Sequence, residues 1–184
     1  MIPTREECIQ LLKKHGYYKE HIPITHAVLV EKVALQISEM LISKGVKVDK
    51  SVVGAAALLH DIGKANKEHL DHAIKGYEIC IEEKLDPRIA IAVKNHDEAG
   101  VLHVLESWEE KIVSYSDKIC NTKILGLEGR FRDWIERFPE YYEKHKVGLE
   151  KSHAKSLLLE KEILNKLELT PDELYKMLRE RTEI

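Results

Sequence analysis

An apolar run from Val52 to Leu59 ends in His60 and Asp61 and is followed by Ile62, Gly63 and Lys64. On a helix, Val53, Ala56, Ala57 and His60 share one face, so the imidazole points where a core should be. Asp61 lies beside Gly54, Ala57 and Leu58. An ionised carboxylate there is costly unless something positive holds it, and no Lys or Arg lies in the preceding turns. A metal cation with His60 and Asp61 as adjacent ligands would resolve the conflict.

The same pattern recurs along the chain. His26 shares a helical face with Val30, Val33 and Ile37, His96 follows the stripe Ile89, Ala92 and Val93, His72 lines up with Gly76 and Ile79, and Asp117 lies one turn from Val113. A single core histidine is ordinarily a packed, hydrogen-bonded residue. Four imidazoles and two carboxylates all turned inward are instead a ligand set for Fe, Mn, Zn, Co or Ni.

These residues in this order resemble the HD-domain superfamily of metal-dependent phosphohydrolases. The stretch from Ala56 to Lys64 (AALLHDIGK) is similar to that family's central motif. The segment from His72 to Glu78 (HAIKGYE) resembles its His-x-x-x-Gly element, and Asn95-His96 and Ser116-Asp117-Lys118 resemble its later His and Ala-Asp-Lys elements. The resemblance spans about residues 22 to 135. Ser116 stands where the family usually has Ala. Gly76-Tyr77-Glu78 differs from the Gly-Tyr-Pro of the cyclic-dinucleotide branch, and that branch's His-His-Glu element is missing, which argues against cyclic di-GMP as substrate.

The resemblance implies that His26, His60, Asp61 and Asp117 hold a first metal and that Asp61 bridges to a second held by His72 and His96. Mn, Fe, Co or Ni would suit, with Mg or Zn as further candidates. Two cations ~3.5–4 Å apart share a water, lower its pKa and bind phosphate oxygens. The reaction implied is hydrolysis of a phosphoester or pyrophosphate bond of a small phosphorylated compound, in the first instance a nucleotide. Asp61 and Lys64 are the candidate catalytic residues. Lys64, one residue past the helix stop, is placed to reach a phosphate oxygen. Lys118, His103, Arg130 and Arg132 are further candidates for substrate contact, weighed against solvated surface positions. His69 is an alternative to His72, and His15, His21, His145 and His153 read as surface or local structural residues. Two other readings stay open. Some members of the superfamily use four His and two Asp for oxygen chemistry, which would make the chain a mixed-valent di-iron oxygenase. A metal-stabilised binding or regulatory module is the other.

Composition sets the frame. With 184 residues, 43% apolar and 33% charged, the chain suits one globular domain with a real core. A formal net charge of −3 argues against general nucleic-acid binding. The three cysteines, Cys8, Cys80 and Cys120, form no zinc or disulfide pattern. No signal-peptide pattern opens the chain, and the run from Val52 to Leu59 is far short of the ~20 residues a membrane helix needs. The expected location is therefore the cytoplasm, with no membrane contact.

Apolar residues repeat at helical spacing nearly throughout, so the expected fold is all-α: a single-domain helical bundle resembling the HD-domain fold. The HD-like core should cover about residues 22–135, with further C-terminal helices, about 136–184, packed on it. Thr4 with Glu7 and Ser107 with Glu110 read as capping boxes, and Asp86-Pro87 as a cap followed by proline at the first helical position. Helices are predicted from Thr25 to about Ser43, from Asp49 to Gly63, from His72 to about Glu83 and from Pro87 to His96. A loop is predicted at Gly126 and Gly129, then an amphipathic segment from Arg130 to Phe138. A long helix follows over about Val147–Leu167, and a last one is capped by Thr170. Leu157, Leu158, Leu164 and Leu167 could pack on the core or form a homodimer contact.

Overall fold

The computed structural model describes residues 1–16, 24–65, 71–97 and 104–182. Among them the regular elements are helices: α1 (Arg5–Lys14), α2 (Ile24–Ser43), α3 (Lys50–Leu59), α4 (His72–Glu82), α5 (Pro87–Lys94), α6 (Trp108–Ile119), α7 (Leu127–Arg137), α8 (Pro139–Leu167) and α9 (Pro171–Thr182), with a short 3₁₀ turn at Ile62–Ala65 between α3 and α4.

The local signals explain most of the boundaries. The Thr4–Glu7 and Ser107–Glu110 capping boxes both form, and Asp49 accepts from the backbone N–H groups of Ser51 and Val52 at the start of α3. Each satisfies amide donors that a helix start leaves without partners. Glu110 does a second job. Its Oε1 accepts from the Ser107 hydroxyl at 2.8 Å and its Oε2 from the Asn95 amide at 2.8 Å, so the start of α6 is tied to the end of α5.

The core is built around α3, which packs on α1, α2, α5 and α6. Apart from Gly54, every residue from Val52 to Leu59 is buried, as the unbroken apolar run requires. One hydrophobic cluster extends from Cys8 and Leu12 in α1 to Leu159, Ile163 and Leu164 in α8 and Leu174 and Leu178 in α9. Tyr115 of α6, fully buried, donates to Glu160 Oε1 at 2.8 Å, and Tyr175 of α9 also donates to that oxygen while accepting from the Leu127 N–H at 3.0 Å. Four helices thus meet at one polar knot.

Three sequence expectations need correction. The long C-terminal helix begins at Pro139, not near Val147, because Pro139 occupies its first turn, where a missing N–H costs nothing. Gly129 lies inside α7, and only Gly126, at φ +78°, makes the turn. Leu164 and Leu167 are buried against this chain's own core, whereas Leu157 and Leu158 are exposed, so the four do not form one outward face.

Candidate metal centre

Helix ends position the candidate ligands. His60 closes α3, Asp61 follows it, His72 opens α4, His96 lies just past α5, His26 sits in the first turn of α2 and Asp117 in the last turn of α6. The last carbonyls of a helix have no intrahelical partner. His60 uses one of them: its Nδ1 donates to the Ala57 carbonyl at 2.7 Å. His96 does the same with Val93 at 2.6 Å, and His26 Nδ1 donates to the Asn121 carbonyl at 3.0 Å. A carbonyl only accepts, so Nδ1 carries the proton in all three rings. In the neutral imidazole each Nε2 then presents a lone pair.

Those lone pairs converge with two carboxylates. His26 Nε2 lies 3.0 Å and His60 Nε2 3.5 Å from Asp117 Oδ1. Asp61 divides its oxygens. Oδ2 is 3.4 Å from His60 Nε2, while Oδ1 is 3.4 Å from His96 Nε2 and 3.6 Å from His72 Nε2. His72 and His96 bring their Nε2 atoms to 3.2 Å. Successive rings along the line His26, His60, His96, His72 have centroids 5.0–5.2 Å apart. Two compact triads result, His26–His60–Asp117 and His60–Asp61–His96, each with its ligand atoms close enough together to hold one metal ion.

Fit for a cation is tested by what the protein leaves unsatisfied. Among the described residues, His60 Nε2 and Asp61 Oδ1 are buried without a hydrogen-bond partner. Such groups are rare because each costs about 1–3 kcal/mol. Here they face each other's neighbours across a shared centre. Burial alone would favour the neutral acids, but His60 and Lys64 beside Asp61, and His26 and His60 beside Asp117, hold both carboxyls well below the usual carboxylate range. Burial likewise opposes charge on His60, yet Asp61 and Asp117 outweigh it and raise its pKa. The pocket prefers positive charge between these atoms, and imidazole with carboxylate is a donor set that takes divalent transition metals.

Two glycines permit this assembly. A Cβ on Gly63 would lie 2.0 Å from the His72 carbonyl oxygen and 2.7 Å from the Gly76 nitrogen. One on Gly76 would lie 2.7 Å from Val93 Cγ1. The backbone after Asp61 therefore touches the start of α4, which brings His72 to Asp61.

The remaining candidates differ in placement. Lys64, whose side chain is about a third exposed, holds Asp61 Oδ2 at 2.7 Å; the counter-charge that the turns before Asp61 lack comes from three residues after it. Lys118 donates to the His96 carbonyl, which Ser114 also contacts at 3.2 Å. Arg130 Nε donates to the Cys120 carbonyl at 2.8 Å. Arg132 is exposed and lies away from the site, since residues two apart on α7 point to opposite sides. His69 and His103 lie outside the described residues. Cys120 is fully buried and burial pushes its thiol pKa upward, so it stays a protonated packing residue.

Next to Asp117 a cleft of about 470 Å³, counting its open mouth, runs between α6, α7 and α8. Phe131, Trp134, Ser152 and His153 line it, none of which the sequence reading placed at the site. His153, expected as a surface or local structural residue, stacks on Phe131 with ring centroids 4.0 Å apart. The available signal was the spacing of Phe131 and Trp134 on one face of α7.

A family model described as HD domain matches residues 24–122, more than half of the chain. The match spans His26, His60, Asp61, His72, His96 and Asp117 and stops before α7. Among relatives, a tRNA (cytidine(56)-2'-O)-methyltransferase of Picrophilus torridus is 33% identical over 141 residues, covering 69% of this chain and 39% of its own. An uncharacterised protein of Methanocaldococcus jannaschii is 27% identical over 176 residues, covering 88% of this chain and 98% of its own. A ribonuclease Y of Clostridium kluyveri is 29% identical over 154 residues, covering 79% of this chain and 29% of its own. The chain therefore spans well under half the length of the methyltransferase and of the ribonuclease. No solved structure matches it. With its helices, the order of its candidate ligands and the family match in agreement, the chain belongs to the HD-domain family.

Proposed function

We propose that this chain is a metal-dependent phosphohydrolase that cleaves a phosphoester or pyrophosphate bond of a small phosphorylated substrate, a nucleotide. The observation that carries this reading is the pair of buried, partnerless atoms, His60 Nε2 and Asp61 Oδ1, at the meeting point of the inward imidazoles. His26, His60, Asp61 and Asp117 would hold one ion, and His72 and His96 a second, with Asp61 shared. The split of the two Asp61 oxygens between His60 on one side and His72 and His96 on the other supports that sharing. Divalent cations in such a site lower the pKa of water and polarise phosphoryl oxygens.

The chain's own residues supply orientation and charge. The carbonyls of Ala57, Val93 and Asn121 fix three imidazoles in the tautomer that turns Nε2 inward, as backbone carbonyls do for ligating histidines. Lys64 keeps Asp61 ionised and brings an ammonium to the edge of the centre, where it can meet a phosphate oxygen. The methyltransferase name of one relative belongs to a protein of which this chain matches 39%, so methyl transfer is not carried over. The ribonuclease name of another agrees in kind with phosphoester cleavage.

Metal analysis of anaerobically purified protein, followed by a panel of nucleotides and phosphoesters with Mn²⁺ or Co²⁺, tests the reading. Phosphoester cleavage that is unchanged when air is removed is expected. O₂ consumption with a mixed-valent iron signal and no hydrolysis would point to the oxygenase instead. Lys64→Met should lower turnover by roughly 10²-fold, the scale of losing one charge-stabilising donor, while bound metal stays constant. Wild-type kinetics in that variant would remove Lys64 from the reaction.

A further inference from the structure

We propose that the cleft between α6, α7 and α8 is the subsite for the planar, non-phosphate end of the substrate, a nucleobase, and that Trp134 and Arg130 select for it. This rests on the phosphohydrolase reading, which places the phosphate at the metal centre that Asp61 and Asp117 would help to form.

Continuity is the first argument. Asp117 belongs to both places: its Oδ1 is 3.0 Å from His26 Nε2, and the residue also lines the cleft. A phosphate at the ligand cluster therefore has its organic part directed along this cleft. The second argument is the chemistry of the walls. Lys118 and Arg130 bring cations to the lining, and Phe131 and Trp134 bring aromatic rings. Arg130 is pinned by its bond to the Cys120 carbonyl and lies 3.5 Å from Asp133, so its planar guanidinium is held in place. Phe131 is braced by His153, stacked at an interplanar angle of 6°. Trp134 packs against Phe138 and Tyr141, at centroid distances of 5.9 and 5.6 Å. Rigid rings beside a fixed cation suit a flat, electron-rich heterocycle.

The opposite wall adds a polar contact. Ser152 of α8 is 2% exposed and lines the cleft; Ser156, one turn on, spends its own hydroxyl on the Ser152 carbonyl at 2.9 Å. The Ser152 hydroxyl can bond the edge of a base. Apart from Asp117 and Lys118, the lining comes from residues beyond the 24–122 match, so this selectivity would belong to the chain's own α7 and α8.

Full-length protein with Mn²⁺ is assayed on the four common nucleoside monophosphates and on ribose 5-phosphate. At least one nucleotide should exceed ribose 5-phosphate in kcat/KM by 10²-fold or more. Trp134→Leu should remove most of that preference by lowering the kcat/KM of the nucleotide, with Trp134→Phe restoring much of it. Separately, a free nucleoside from that panel should quench tryptophan fluorescence in the wild type and not in Trp134→Leu. Ser152→Leu, which fills the cleft from α8, should block the same binding and serves if Trp134→Leu fails to fold. Phosphoester cleavage with equal rates on ribose 5-phosphate and nucleotides, and no Trp134-dependent quenching, overturns the subsite and leaves the hydrolase intact. Trp134-dependent quenching without hydrolysis of any phosphoester upholds the subsite and overturns the hydrolase.

Discussion

Asp61→Ala is expected to abolish measurable phosphoester hydrolysis, a fall of about 10³-fold or more, and to reduce metal content by at least one equivalent per chain. The size follows from what the side chain does. Its two oxygens face both ligand groups, His60 on one side and His72 with His96 on the other. Charge stabilisation by bound metal is worth several kcal/mol in the transition state, and each 1.4 kcal/mol is tenfold in rate. Stability gives an independent readout. A ligand that binds only the folded state adds about 2.7 kcal/mol at a hundred times its Kd. Wild-type protein should therefore melt at higher temperature as Mn²⁺ is added, and Asp61→Ala should show little of that rise. An unchanged Mn²⁺ response and unchanged turnover in the variant would remove Asp61 from the centre.

Gly63→Ala should be the most damaging change that adds a single methyl group. The new Cβ would meet the His72 carbonyl oxygen at 2.0 Å and the Gly76 nitrogen at 2.7 Å. Both are backbone atoms, so no rotamer relieves the clash and the 3₁₀ turn must move away from α4. Overpacking of this kind costs about 3 kcal/mol, which for a chain of this length lowers Tm by roughly 10 °C. His72 rides on the displaced backbone, so the second ion should weaken more than the first. Gly148→Ala is the contrasting control. Nothing lies within 4 Å of its added Cβ, and it sits inside α8. Alanine there should raise stability by about 0.5–1 kcal/mol. Thermal melts with metal titration on both variants check the pair, and a Gly63→Ala protein with wild-type Tm and metal stoichiometry would refute the close approach of turn and helix.

The candidate ligands' convergence was legible because polar residues interrupt apolar helical faces. His60 and Asp61 end a run that is otherwise buried, and His26, His96 and Asp117 lie in line with apolar stripes at helical spacing. Helix starts were legible through short-range capping chemistry, as Thr4 with Glu7 and Ser107 with Glu110 show. The start of α8 was not, because residues 139–146 are mostly polar and carry no apolar stripe; the proline at the first turn was the better signal. Lys64 was read as a phosphate contact, and its bond to Asp61 depends on the 3₁₀ turn that brings residues three apart together. The cleft was illegible for a different reason. Asp117, Trp134 and Ser152 sit on three helices, and no local pattern announces that α7 and α8 fold back beside the end of α6. Arg130 and Arg132 looked equivalent in sequence, but helical rotation turns only Arg130 inward.

Anomalous scattering from crystals grown with Mn²⁺ is the most direct measurement of whether these six side chains share a cation. The account predicts a peak within coordinating distance of His60 Nε2, Asp61 and Asp117, with a second between Asp61, His72 and His96. Crystals in saturating Mn²⁺ with no peak there, and with the imidazoles and carboxylates bonded to one another instead, would contradict it.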